Sequence, residues 1–351
     1  MRHRFLAAMG ALAIGIAILS FAAVPVAGQA PTAAARSTAS PKPWNPPRTP
    51  DGQPDLQGVW DYRTITPLER PIELGEKQFF TDEEAANFER EENRRQNRDL
   101  IDSAKGGLQY PAGGVVPYNE FWYDRGNTVT RSRRTSLIVD PRDGRLPPLT
   151  PQGRKRMDTR EEAQRADQLG HPKADSYEDR PLSERCILGF NAGPPMTPGA
   201  YNNNVQILQS AQYVVLHTEM VHDSRVVPLD RRPHGTIRQW LGDSRGHWEG
   251  NTLVVDTTNF YRETSLPGSS ANMHLIERFT RVDADTLLYE FTVDDPSTWT
   301  RPWTAQIPMK KSQDLIYEYA CHEGNDAMSN MLAGARAEEK AADEARKKES
   351  R

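Results

Sequence analysis

The chain has 351 residues, a formal net charge of -4 at pH 7 and two cysteines. A length of this order accommodates one large domain or two small ones. The weak net charge and the lack of a basic stripe argue against nucleic acid as a partner.

The first residues have the three parts of a secretory signal. A basic start precedes an apolar run from Phe5 to Ala23, and small residues follow up to Gly28. This order is typical of a cleaved export signal, so we predict a signal peptide over residues 1–28. An uncleaved membrane anchor is the alternative, because the run is almost long enough to span a bilayer. After cleavage we expect no stable membrane insertion and a location in the periplasm or outside the cell.

Both ends of the mature chain differ in composition from its middle. Residues 29–50 are rich in Ala, Ser, Thr and Pro, which is typical of a disordered linker. Residues 327–351 are rich in Ala, Glu, Lys and Arg, and they predict a charged helical or disordered tail. Between them we predict a single β-rich domain over residues 51–326.

Two helical insertions are predicted in the first half of this domain. Thr81, followed three positions later by a glutamate, has the pattern of a capping box. It predicts a polar surface helix near residues 81–104. Thr150 before Pro151 places a cap next to a proline at the first helical position, which predicts a second helix near residues 151–169.

The remainder of the domain has the pattern of strands joined by short turns. We predict strands at 135–139, 145–146, 205–208, 212–220, 225–229, 247–249, 252–258, 275–282, 286–293, 303–309 and 315–320. Strands at this regular spacing indicate an antiparallel meander. Such a meander closes most simply into a β-barrel, which removes its edges, and a two-sheet sandwich is the alternative. The predicted fold class is mainly β, with helical insertions in the first half and a charged C-terminal helix.

Several motifs resemble known proteins. The string DLQGVW at 55–60 resembles the Gly-x-Trp opening of lipocalin-type barrels, in which the tryptophan begins the first strand and closes the barrel floor. The strings TPDGQPDLQGVW, SERCI, GDSRGHWEGNTLVVDTTNF and EYACHEGN are similar to those of a large, uncharacterised family of exported proteins from soil and environmental bacteria. This resemblance implies export, a lipocalin-like or calycin-like barrel and the pairing of two Cys-containing motifs, and it implies no reaction. The family motif carries Arg where this chain has His247, which argues against an essential role for His247.

The two cysteines are Cys186 and Cys321. In an oxidising compartment the expected state of an isolated pair is a disulfide. Two free, buried thiols are the alternative, and a nucleophilic cysteine is less expected still.

The densest polar cluster spans residues 217–225. On a strand, His217 and Glu219 point to one face, and His222 and Asp223 then fall in or beside the turn. Such a set could perform acid–base chemistry or bind a metal such as zinc. It could equally consist of turn caps and surface ion pairs.

A second candidate for acid–base chemistry follows the last cysteine. A disulfide at Cys321 would hold His322 near the barrel mouth, and histidine changes its charge near neutral pH. The candidate catalytic residues are Glu219, His222 and His322.

The candidate ligand-binding residues are Asp223, Arg225, His274, Arg278 and Trp303. His274 and Arg278 share a strand face. Arg278 either reaches into the barrel lumen to hold an anionic ligand or stacks on Trp60 or another ring as a structural plug. Trp303 belongs to a group of aromatic residues, some of which could line an apolar cavity.

These features favour a binding function over catalysis. The sequence has no Gly-rich phosphate loop, no Gly-x-Ser-x-Gly elbow and no zinc-finger or haem spacing, so we predict neither a cofactor nor a metal. The leading prediction is an exported barrel that binds a small apolar or amphipathic molecule. A cofactor-free acid–base enzyme on the same scaffold is the alternative, and a structural envelope protein is a third. The sequence does not indicate an oligomeric state.

Overall fold

The computed structural model describes residues 44–100, 119–168, 173–264 and 266–349. The predicted signal peptide, and the predicted linker up to residue 43, lie outside the described residues.

Ten strands and three α-helices form the regular structure of these ranges. The strands are β1 Gly58–Asp61, β2 Ile138–Asp140, β3 Asn204–Gln209, β4 Tyr213–Thr218, β5 Ser224–Pro228, β6 Asp243–Glu249, β7 Thr252–Thr258, β8 His274–Arg281, β9 Thr286–Asp294 and β10 Trp303–Ser312. The helices are α1 Asp82–Gln96, α2 Pro151–Gln168 and α3 Ala327–Glu349. The prediction of a mainly antiparallel β fold with helices is thereby confirmed.

The strands belong to one antiparallel sheet with the order β5-β4-β3-β1-β10-β9-β8-β7-β6, and β2 pairs with the start of β10. No hydrogen-bonded ladder joins β5 to β6 among the described residues, so the predicted closed barrel is not confirmed. The two edge strands nevertheless touch. A Cβ atom placed on Gly246 of β6 would lie 2.8 Å from Val227 Cγ1 of β5 and 2.8 Å from Leu229 Cδ2.

Buried and partly exposed residues alternate along the central strands, and the buried ones form the core. In β9, Leu287, Tyr289, Phe291 and Val293 are all fully buried, while the residues between them are partly exposed. A strand places alternate side chains on opposite faces, so this pattern assigns one face of the sheet to the core. The same face of β10 carries Trp303, Ala305, Ile307 and Met309, all buried.

Trp60 of β1 lies in this core with no exposed surface, and its indole Nε1 donates to the carbonyl oxygen of Leu56 at 2.8 Å. The guanidinium of Arg281 lies 5.7 Å from the Trp60 ring centroid. The stacking on Trp60 that the sequence suggested for Arg278 is therefore made by Arg281. The two arginines lie on opposite faces of β8, because they are three residues apart.

A small second cluster holds α1 against the rest of the chain. The cluster consists of Ile65, Phe80, Ala85 and Val129, with Phe88 packed against it. Helix α1 begins with the predicted capping box, in which Thr81 N donates to the Glu84 side chain and Thr81 Oγ1 accepts from Glu84 N. The helix ends at Gln96, earlier than the sequence suggested.

Two predicted strands do not form. Residues 315–320 have no strand structure, and Leu315 and Tyr317 are largely exposed. Strand β10 already pairs with β1 and β9, so the chain beyond Ser312 meets no free partner there. Residues 145–146 also lie outside the sheet, where Leu146 N donates to Glu69.

The disulfide prediction is confirmed, since Cys186 and Cys321 are bonded with their Cα atoms 5.7 Å apart. Among the described residues, the helices lack an apolar stretch of the length that crossing a bilayer requires.

Candidate functional site

The core face of the sheet carries one buried ion pair. Arg225 of β5 donates from Nη1 and Nη2 to both oxygens of Glu277 on β8, the second of these bonds at 2.9 Å. Tyr289 of β9 donates from its hydroxyl to Glu277 Oε1 at 2.7 Å and accepts from the backbone N–H of Met196 at 3.1 Å. Each polar group of this network has a partner within the protein.

The electrostatics of the network follow from its burial. Burial, and then the negative charge of Glu277, raise the pKa of Tyr289 well above its usual value. Burial alone would lower the pKa of Arg225, but the ion pair with Glu277 raises it overall. Arg225 therefore stays charged, and both of its terminal nitrogens are committed to Glu277. The predicted ligand-binding residue Arg225 is thus engaged inside the protein.

The predicted polar cluster at 217–225 forms the connection between β4 and β5. His217 Nδ1 lies 2.8 Å from Ser224 Oγ on the neighbouring strand, and its ring packs edge-on against His222 with centroids 4.3 Å apart. Burial, and then the neighbouring His222, lower the pKa of His217. Glu219 is buried and accepts from Asn204 Nδ2 at 2.8 Å.

The backbone of this connection is strained. Val221 and His222 both have a positive φ, near +60°. A β-branched residue rarely adopts this conformation, and such strain clusters at functional sites. Asp223 follows directly, and its Oδ2 is buried without a hydrogen-bond partner among the described residues. Burial raises the pKa of Asp223 to about 6.

The third predicted catalytic residue lies elsewhere. His322 lines a cavity of about 300 Å³ beside the disulfide, together with Tyr177, Arg185 and Asn325. Glu219, His222 and Asp223 of the β4–β5 connection are absent from the described lining of this cavity. The structure therefore brings Glu219 and His222 into one connection and leaves His322 in a separate pocket.

His274 and Arg278 face away from the core. His274 Nε2 lies 3.0 Å from Asp256 Oδ1, and this hydrogen bond raises the pKa of His274. Arg278 donates to Glu249 at 2.7 Å on the outer face. The suggestion that Arg278 reaches into the interior is therefore wrong. Within the described ranges, no group of three or more His, Cys, Asp or Glu side chains is arranged to hold a metal ion.

Trp303 is fully buried between two aromatic rings. Its ring centroid lies 5.7 Å from that of Phe291 and 5.6 Å from that of Trp299. Trp303 is absent from the lining of the two cavities described in this subsection. The aromatic side chains that the sequence suggested for a ligand pocket thus include core residues that pack against each other.

A larger cleft lies between α1 and the loops beside it. Its volume is about 750 Å³, which is within the range of small-molecule sites. Apolar and proline side chains form much of its lining, among them Ile65, Pro67, Leu68, Phe88, Leu137, Phe190, Pro198, Leu266 and Pro267. Leu137 and Leu266 also belong to the main core, so the floor of the cleft is continuous with the core.

Buried asparagine hydrogen bonds fix one wall of the cleft. Asn203 is fully buried and donates to the carbonyl oxygens of Asp124 and Gly199 at 2.9 and 3.1 Å. Gly199 N donates back to Asn203 Oδ1 at 2.7 Å. These bonds hold the segment that includes Ala200 beside the segment that carries Arg125.

Three arginines and a tyrosine are polar residues in the cleft lining. Arg95 belongs to α1, Arg98 to the turn that follows it, and Tyr123 and Arg125 to a later segment. The guanidinium groups of Arg98 and Arg125 lie 5.4 and 4.5 Å from the Tyr123 ring centroid. The sequence analysis missed these residues, because the cleft is assembled from segments that are distant along the chain. The adjacent aromatic residues 121–123 were the only local signal.

Comparison with models of protein families found no match, and comparison with curated proteins found no relative.

Proposed function

We propose that this protein is exported and binds a small, largely apolar molecule in the cleft beside α1. The observation that carries the proposal is the cleft itself, whose apolar lining is continuous with the core and whose volume is about 750 Å³. A binding site of this kind combines an apolar surface with few, well-placed polar groups. The disulfide between Cys186 and Cys321 is compatible with a location outside the cytoplasm.

The packing of the sheet face supports the cleft, and not a barrel lumen, as the site. Large side chains such as Trp60, Tyr289, Phe279 and Trp303 have no exposed surface, so they fill the space that a barrel lumen would occupy.

We also propose that the sheet is a barrel closed by side chains instead of by a hydrogen-bonded ladder between β5 and β6. The contact at Gly246 and the ion pair between β5 and β8 support this proposal.

A matched pair of tryptophan variants tests the binding site. Ala200 lines the cleft, and Ala200→Trp fills it, whereas Ala211→Trp adds the same side chain at an exposed turn. Fluorescence titration with the neutral probe N-phenyl-1-naphthylamine should show binding to the wild-type chain and to Ala211→Trp. Ala200→Trp should lose at least about tenfold in affinity, since a filled cleft removes the apolar surface that the probe buries. Equal affinities of all three chains would contradict the proposal.

A second candidate function is acid–base chemistry at the β4–β5 connection. The observation that favours it is the buried, unpartnered carboxylate oxygen of Asp223 beside a strained backbone, with a pKa raised by burial to about 6. A carboxyl group with a pKa near neutrality suits general acid or base catalysis. Turnover of a panel of esters and lactones by the wild-type chain, lost in Asp223→Asn, would support this candidate. Equal turnover by both chains would remove it.

A further inference from the structure

We propose that the molecule bound in the cleft carries an anionic group, and that Arg98 binds this group. This inference rests on the proposed function and specifies its ligand: an amphipathic organic anion with an apolar body.

Two of the three arginines at the cleft are already neutralised. Arg95 donates from Nε and Nη2 to both oxygens of Glu92, the Nε bond at 2.8 Å. Arg125 Nη2 donates to Glu120 at 2.5 and 2.6 Å. Burial acts to raise the pKa of Glu120, yet the hydrogen bonds from Arg125 and the Arg98 backbone lower it overall. Neither arginine therefore offers a free charge to a ligand.

Arg98 differs from both of them. None of the described residues places a carboxylate oxygen within ion-pair distance of its guanidinium. The Nε of Arg98 is buried and has no hydrogen-bond partner among those residues. Buried donors in proteins almost always have a partner. Of the three lining arginines, Arg98 is thus the one that retains a buried, unpartnered hydrogen-bond donor among the described residues, while its charge also helps to lower the pKa of Glu120.

The ring of Tyr123 holds this guanidinium in place. Arg98 lies over the ring at 5.4 Å from its centroid, and such stacking leaves the edge of the guanidinium plane open for hydrogen bonding. The fixed, planar donor set of arginine matches a carboxylate, a sulfonate or a phosphate. The anionic group is therefore expected beside Arg98.

The apolar lining determines the rest of the ligand. Leu68, Phe88 and Leu266 present apolar surface to the same cleft. Glu73, a lining carboxylate without an ion-pair partner among the described residues, is exposed, so water solvates its charge. An apolar body against the apolar side chains and an anionic head at Arg98 match both parts of the lining.

Two probes with one skeleton test this inference. The sulfonate 8-anilinonaphthalene-1-sulfonate and the neutral N-phenyl-1-naphthylamine differ only in the anionic group. Fluorescence titrations of the full exported chain should show that the sulfonate binds roughly tenfold more tightly than the neutral probe, as expected for a charge-assisted hydrogen bond. Arg98→Gln should remove this preference, so that the two probes bind this variant with similar affinity, and Arg98→Lys should retain part of it.

Arg94→Gln is the matched control. Arg94 lies exposed on α1 and does not line the cleft, so its loss changes the net charge equally and should leave the preference intact. A neutral probe that binds, and that Ala200→Trp excludes, together with no preference for the sulfonate, would overturn the role of Arg98 and leave the proposed function standing. The role of Arg98 would also be overturned if Arg94→Gln and Arg98→Gln had equal effects. Failure of both probes to bind in the cleft would overturn both proposals.

Discussion

The chain contains two groups of charged residues that differ in how completely they are paired. In the sheet core, Arg225, Glu277 and Tyr289 satisfy one another. Beside α1, Arg98 and Arg125 both lie over the ring of Tyr123, but among the described residues only Arg125 forms an ion pair with a carboxylate. A charge whose hydrogen bonds are all made within the protein cannot bind a ligand, so the core network has a structural role. Arg98 retains hydrogen-bonding capacity, so it is suited to a binding role.

Burial explains why the core network must be complete. Removing two charges from water is costly, and only mutual pairing with further hydrogen bonds offsets that cost. At the cleft, solvent reaches part of the site, so a cation without a carboxylate partner is tolerated there. The expected effects of substitutions therefore differ in size between the two groups.

The largest effect is expected at Glu277. Glu277→Gln should lower the free energy of unfolding by about 3–5 kcal/mol, because it leaves the buried charge of Arg225 uncompensated. Urea denaturation measures this change. Glu249→Gln, which removes the exposed partner of Arg278, is the control and should have no resolvable effect. Similar losses in both variants would show that burial does not distinguish the two pairs.

The next effect is a pH dependence caused by Asp223. Its pKa is raised to about 6 in the folded state, above the unfolded value near 3.8, so the folded state favours the protonated form. Stability attributable to this group is therefore highest at low pH and falls as pH rises from about 4 through 6. After allowance for solvent screening of a partly exposed group, the loss is about 1–2 kcal/mol. Unfolding measured at pH 4 and pH 8 should show that the stability change between the two pH values differs by this amount between the wild-type chain and Asp223→Asn.

A smaller effect is expected at Arg98. Arg98→Gln should change the free energy of unfolding by less than about 1 kcal/mol, since it breaks stacking on Tyr123 and no ion pair with a described residue. Denaturant unfolding of this variant beside Glu277→Gln compares the two groups directly. A loss as large as that of Glu277→Gln would mean that Arg98 is a structural residue.

The smallest effect is expected at His274 on the outer face. The hydrogen bond to Asp256 raises its pKa above the unfolded value near 6.5, so its contribution is present below that pH and is lost as pH rises through the folded pKa. Because more than a third of the side chain is exposed, the contribution is about 0.5 kcal/mol. An NMR titration should show a raised His274 pKa that returns towards 6.5 in Asp256→Asn.

Local sequence signals predicted much of the fold. Alternation in β9 identified its two faces, and the capping pattern at Thr81 located the start of α1. In β8, the candidates selected from the sequence were His274 and Arg278, which lie on the outer face, and Glu277 on the core face was not selected. A buried glutamate among apolar residues gives no local signal of its partner, because Arg225 lies on a strand that is distant along the chain.

The cleft was not predictable in the same way. Its walls come from residues 64–68, 88–98, 123–125 and 190–200, and no local pattern links these segments. Buried bonds such as those of Asn203 bring them together, and such bonds are decided by tertiary packing. The ion-pair partners that distinguish Arg98 from Arg125 likewise depend on the fold. In the sequence, both residues are basic and have polar neighbours, so nothing there separates them.

The ligand is expected to bind in the cleft and not within the sheet. Photo-crosslinking with 4-benzoylbenzoate, an aromatic carboxylate, followed by peptide mapping tests this most directly. We expect labels on residues 64–68, 88–98 or 190–200, and their loss in Ala200→Trp. Labels confined to core-face residues such as Phe291 or Trp303 would contradict it.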